Sequence, residues 1–315
     1  MNYNQIILTN IELKDNLLRH KINMNTMGKD SSYIERLIQQ IDDIEPIIDE
    51  MLKNSSIYYH DMNDDAGGFR FVGWDKYFWG DKDEITQIKA KSKYLKFYQN
   101  FELLLERAQP NTLRKIGDSN KNILNLIDQN RAPSSIEVGK IGFINETKTF
   151  KEFLDLLKGN EKRTVIVPDT NSIIQFPEPI NYRSISPTEK FDFVILPTVL
   201  SELDKHKMTH RSDDFRKKVS SVINRLKGYR KQGNVLEGVI VNKTITVKMV
   251  ATEPNFNKTL GWLDSENNDD RIIANALELQ ISFPGDNLIF VTSDINLQNK
   301  AQLANLTVLD TDELE

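Results

Sequence analysis

The chain has 315 residues, a formal net charge of −5 and no cysteine. Its length leaves room for two domains with cores of their own. The charge balance excludes a nonspecific nucleic-acid coat, although a local basic patch can still bind phosphate. The missing thiols exclude disulfides and thiolate metal sites and fit a reducing cytoplasm.

The opening MNYNQIILTNIELKDN has no basic start ahead of a long apolar stretch, so no secretory leader is expected. No apolar run approaches the ~20 residues that span a bilayer, and a soluble cytoplasmic protein is expected. Residues 31–54 place Ile34, Leu37, Ile41, Ile44 and Ile48 on one helical stripe, with Pro46 as a possible kink. The stretch 58–81 is dense in aromatics and acids. Asp61, Asn63 and Asp65 have calcium-loop spacing. However, Ala66 stands where that loop needs glycine and Val72 where it needs glutamate, so the loop is rejected. Phe69, Phe71, Trp74, Tyr77, Phe78 and Trp79 can stack bases, but they fit better as the core plug of a small helical domain. Amphipathic helices are expected over 85–108, stopped by Pro110, and over LRKIGDSNKNILNLIDQ. Residues 131–146 carry Pro, Gly and Ser without a period and read as a linker. The N-terminal domain is thus mainly helical over 1–146, with the second domain at 147–315.

From residue 147 strands and helices alternate. A helix KTFKEFLDLLKG leads to strand TVIVP, then FVILP, a long helix over 198–232, and strand-like VIVNKTITVKMV. Helix DRIIANALELQ, strand NLIFVT, a short helix NLQNKAQLA and strand TVL follow. This order predicts an α/β fold, an α/β/α sandwich with a central parallel sheet whose apolar strands are covered on both faces.

Ligands of open parallel sheets sit beyond the carboxyl ends of the strands. Asp169 follows the first strand, Asp294 follows the late strand, Glu202 lies early in the helix after FVILP, and Asp270 opens DRIIANAL. Several carboxylates gathered together raise one another's pKa unless a cation lies between them. A hard ion, Mg²⁺ or Mn²⁺, prefers such oxygen ligands and suits phosphodiester hydrolysis. Zinc chemistry lacks support: there are four histidines, none with HExxH spacing. No GxGxxG or GxxxxGK[ST] motif is present, so dinucleotide and NTP sites lack support too.

In this order VPDTN, LPTVLSELDKHK, NNDDRIIANAL and VTSDINLQNKA resemble the motifs of the PIN-domain nuclease family. The resemblance covers about half the chain and implies metal-dependent endoribonuclease activity on single-stranded RNA. It implies Asp169, Glu202, Asp270 and Asp294 as catalytic metal ligands, with Asn171 and Thr292 supporting them. The first half lies outside the resemblance. A homo-oligomer or a regulatory partner bound through that half is open.

Plainer readings stand beside these. Asp169 and Asp294 suit caps or turns, and Glu202 suits a solvated acid pairing with His206 at i+4. Asp269 and Asp270 compete, one as helix cap and the other as ligand, with Asp269 favoured as the cap and Asp270 as the ligand. Asp264 and Glu266 are read as surface residues, as are His206 and His210. Lys205, Lys207, Arg211, Arg216, Lys217 and Lys218 form either a solvated face or a track for the RNA backbone. Two rival functions remain: a noncatalytic scaffold or RNA-binding adaptor, and a phosphoacceptor. The latter needs a second acid near the first strand end and a lysine after the last strand, and neither is evident.

Overall fold

A computed structural model describes residues 30–61, 76–159 and 161–314. They form two compact units. One is Ile34–Lys158, and the other is built on Gly159–Glu315, joined by the described residues up to Tyr33. The expected leader reading and Asn63, Asp65, Phe69, Phe71 and Trp74 lie outside the described residues. Among the described residues no helix is long and apolar enough to cross a membrane.

The first unit is mainly helical. Helix α1 (Tyr33–Lys53) runs through Pro46 without a break. Ile34, Leu37, Ile41, Ile44 and Ile48 are all buried, as their spacing requires, and Met51 and Leu52 widen the stripe. A ribbon of β1 (Ile57–Tyr59) and β2 (Tyr77–Trp79) follows, antiparallel, with Tyr58 stacked on Phe78 at 5.7 Å. Of the six aromatics expected in the core, Tyr77, Phe78 and Trp79 lie among the described residues and are half-buried; Tyr58 and Tyr59 opposite them are exposed. A three-residue strand cannot turn both faces inward without a second layer over it.

Helix α2 (Glu84–Glu102) is capped by Asp83, whose Oδ1 accepts from Thr86 N at 3.1 Å. Helix α3 (Pro110–Ile127) begins on Pro110, which suits a first helical turn. Helix α4 (Ile136–Leu156) replaces the expected linker over 131–146. Ser135 caps it, accepting from Val138 N at 3.2 Å. Gly139 and Gly142 interrupt its apolar period in the sequence. Gly139 has a packing reason, since a Cβ there would meet Pro133 at 3.1 Å and Leu126 at 3.5 Å. Phe97, Phe101 and Phe150 make the centre of the core, with ring centroids 5.0–5.9 Å apart.

The second unit is α/β. Its strands are β3 (Thr164–Pro168), β4 (Phe191–Ile195), β5 (Val239–Val241), β6 (Ile245–Met249), β7 (Asn287–Val291) and β8 (Thr307–Leu309). Their order is β5-β6-β4-β3-β7-β8. All neighbours are parallel except β5, which pairs antiparallel with β6. The sheet is therefore mixed at one edge. The segment 239–250 is a hairpin turning on Asn242 and Lys243, both with positive φ (48° and 68°). Every residue of β3 and of β7 is buried, in keeping with cover on both faces.

The long helix expected over 198–232 is two helices, α6 (Pro197–Thr209) and α7 (Asp213–Gln232). Ser212 caps the second by accepting from Phe215 N at 3.3 Å. The other helices are α5 (Thr170–Gln175), α8 (Asn268–Ser282) and α9 (Ile295–Leu303). Strand β3 has β4 on one side and β7 on the other. The connection after β3 leads one way and the connection after β7 the other. The carboxyl ends of β3 and β7, paired at Pro168 and Val291, thus flank the point where strand order reverses.

Candidate functional site

Asp169 leaves β3 as the N-cap of α5 and is 3% exposed. Its Oδ1 accepts from Ser172 N at 2.7 Å and its Oδ2 from the Thr292 hydroxyl at 2.6 Å. Its own N–H donates to Val291 O at 2.9 Å, and the Ser172 hydroxyl donates to the same carbonyl at 3.0 Å. The side chain is thereby fixed against the end of β7. Burial pushes its pKa above the ordinary 3.8, the Ser172 and Thr292 bonds oppose this, and the nearby Asp294 adds to the rise.

Asp294 is exposed and caps α9, its Oδ1 accepting from Asn296 N at 2.8 Å and Leu297 N at 3.1 Å. Its N–H donates to the Thr292 hydroxyl oxygen at 3.0 Å. One buried hydroxyl thus ties both strand-end acids together. Both residues cap the helix that follows them.

Glu202, half-buried on α6, does not pair with His206. Its Oε1 accepts from Asn268 Nδ2 at 3.0 Å, and its Oε2 accepts a short hydrogen bond from the Thr170 hydroxyl. His206 lies edge-on to Phe215 instead.

The cap of α8 is Asn267, not Asp269: its Oδ1 accepts from Asp269 N at 2.9 Å and Asp270 N at 3.4 Å. Both aspartates sit inside the first turn. Asp270 is 5% exposed. Its Oδ2 accepts from Asp264 N at 3.0 Å, and its Oδ1 meets Lys300 Nζ at 2.6 Å in an ion pair without hydrogen-bond angles. Asp269 is half-buried, with Lys300 at 3.9 Å. Its pKa is raised, first by burial and then by the carboxylates of Asp294, Glu202 and Asp270, against the Lys300 ammonium. Asp269 therefore belongs electrostatically with the strand-end acids. The sequence leaves Asp269 and Asp270 competing for the ligand role and gives none to Thr170, Ser172, Asn267, Asn268 or Lys300. Asn171 is exposed, and the Ser172 amide reaches Asp169 instead. Asp264 and Glu266 are exposed, as read, although the backbone of Asp264 serves Asp270.

Residues 166–312 match the family model described as a PIN domain. This part of the chain is a PIN domain. No curated protein matches the chain. In the PIN domain the acids of four distant segments stand beyond β3 and β7 and at the starts of α6, α8 and α9. Among the described residues no three carboxylate or imidazole side chains converge closely enough to grip one ion directly. The donor set is nevertheless all oxygen, which suits Mg²⁺ or Mn²⁺, ions usually held by one or two carboxylates with water completing the shell. Lys300 is the cation that lies against Asp270 and Asp269 here.

The basic residues of the PIN domain are unequally free. Lys205, Arg211, Lys217 and Lys218 are exposed, while Lys207 and Arg216 are half-buried. Arg216 pairs with Asp213 and donates to His210 O, and Lys217 pairs with Asp214 at 3.3 Å. Lys207, Arg216 and Lys217 line an open groove of about 550 Å³ with Asp213, Ser220, Ser221 and Asn224.

Proposed function

We propose that the PIN domain is a metal-dependent endoribonuclease that hydrolyses phosphodiester bonds of single-stranded RNA. The observation that carries this reading is that Asp169 and Asp294, at the carboxyl ends of β3 and β7, share the buried Thr292 hydroxyl, while Thr170, next to Asp169, holds Glu202. Asp169, Glu202, Asp270 and Asp294 would hold Mg²⁺ or Mn²⁺, with Asp269 adding negative charge. Such an ion supplies charge neutralisation at a phosphoryl oxygen and lowers the pKa of water.

The chain's own residues prepare that site. Thr292 and the Ser172 amide favour the ionised form of Asp169 against its burial. Thr170 and Asn268 fix both oxygens of Glu202. Prepositioned carboxylates need no reorganisation when substrate arrives. In the groove, Lys207 and the hydroxyls of Ser220 and Ser221 offer donors to backbone phosphates without reading bases, and Arg216 and Lys217 would exchange Asp213 and Asp214 for phosphate.

An adaptor that binds RNA without cutting it is the competing reading, favoured by the Lys300 ammonium at Asp270. Incubating the purified chain with end-labelled, unstructured RNA, in Mn²⁺ or in chelator, separates the two. Endonucleolytic fragments in Mn²⁺ alone, absent for Asp169→Asn, are expected. RNA binding without fragments in Mn²⁺ contradicts the nuclease reading.

A further inference from the structure

Helix α9 carries both Asp294 at its cap and Lys300 along its length. The Lys300 ammonium lies 2.6 Å from Asp270 Oδ1 and 3.9 Å from Asp269 Oδ2. Asp270 is 5% exposed, and among the described residues its other oxygen accepts from the neutral amide of Asp264. A buried carboxylate needs a counter-charge as well as hydrogen bonds, and Lys300 supplies it. The same ammonium opposes the carboxylates gathered around Asp269.

We propose that Lys300 is a built-in cation that holds Asp270 in the metal-free protein and competes with the divalent ion for it. The inference rests on the metal-site reading above. Mg²⁺ binds carboxylate oxygen at about 2.0–2.1 Å. An ammonium already in contact with the same oxygen would meet a double positive charge within a few ångströms, so one of the two cations has to yield. Metal affinity at this site is then the difference between two cation interactions. The PIN domain stays folded with the acids neutralised when divalent ions are scarce. Lys300 is a positioning residue: it acts through Asp270 rather than on the substrate.

The test titrates Mn²⁺ alone into the full chain by calorimetry and records melting with and without the ion. Lys300→Met should bind Mn²⁺ about tenfold more tightly, because its competitor is gone. It should also melt lower than wild type without metal, and this deficit should vanish at saturating Mn²⁺. Lys300→Arg, which keeps the charge, should bind within about threefold of wild type. Lys300→Gln carries the same expectations as Lys300→Met and serves if the methionine variant does not fold. Unchanged or weaker Mn²⁺ binding in the neutral variant overturns the role of Lys300, as does tighter binding with no metal-free deficit. A wild-type chain that binds no Mn²⁺ overturns the metal-site reading and this inference together.

Discussion

Replacing Thr292 with valine probes the joint between the two strand-end acids. Thr292 is fully buried, and its hydroxyl donates to Asp169 Oδ2 at 2.6 Å while accepting from Asp294 N at 3.0 Å. Valine fills nearly the same volume, so the change removes bonds without opening a cavity. A hydrogen bond to a charged group contributes about 1.5–3 kcal/mol. Asp294 is exposed, so water can take over at its amide and little is added there. Losing about 2 kcal/mol from ionised Asp169 pushes its pKa further up. It also corresponds to a fall of about 4–8 °C in melting temperature for a unit of this size.

The pH dependence gives the sign. The folded pKa of Asp169 already lies above the unfolded 3.8, so its contribution to stability is fully present below 3.8 and is lost as pH rises through the folded value. Thr292→Val raises the folded value further and deepens that loss. The gap between wild type and variant should be full near pH 7 and shrink as pH falls towards about 4. Urea unfolding of both proteins across this range measures it. An equal gap at both ends would show that the hydroxyl does not act on the ionised carboxylate.

Asp269→Asn relieves repulsion from Asp294, Glu202 and Asp270, so its melting temperature should hold or rise slightly in calorimetry. Asp270→Asn removes the partner of Lys300 and should melt lower without metal while abolishing RNA cleavage. Asn267→Ala deletes the cap of α8 and should cost about 1 kcal/mol in urea unfolding. Replacing Lys217 and Lys218 together with alanine should weaken RNA binding alike across sequences. It should also lower the slope of log affinity against log salt by about 1.4, read by fluorescence anisotropy. An unchanged slope would mark that face as merely solvated.

The apolar runs of β3 and β7 made the sheet legible, because strands covered on both faces leave little room for polar residues. The acids directly behind those runs were legible for the same reason, since a strand end fixes where the next side chain stands. Other features needed tertiary contacts. Asn242 and Lys243 turn a hairpin without glycine, so 239–250 read as one strand. The break between α6 and α7 did leave a signal, Ser212 followed by Asp213 and Asp214, but the basic run around it masked the cap. Helix α4 was hidden because Gly139 answers to the neighbouring helix rather than to local propensity. Asn267 outcompetes Asp269 as cap, though both residue types suit that role. Lys300 lies inside the motif VTSDINLQNKA, but its place beside Asp270 follows only from how α8 and α9 pack.

The central claim is that the strand-end acids hold a divalent ion, and anomalous scattering from crystals soaked in Mn²⁺ tests it most directly. The account predicts a manganese peak at the carboxylates of Asp169, Glu202, Asp270 and Asp294, the groups that would hold the ion directly or through water. Saturating Mn²⁺ with no peak at these carboxylates, or with a peak only elsewhere on the molecule, would contradict it.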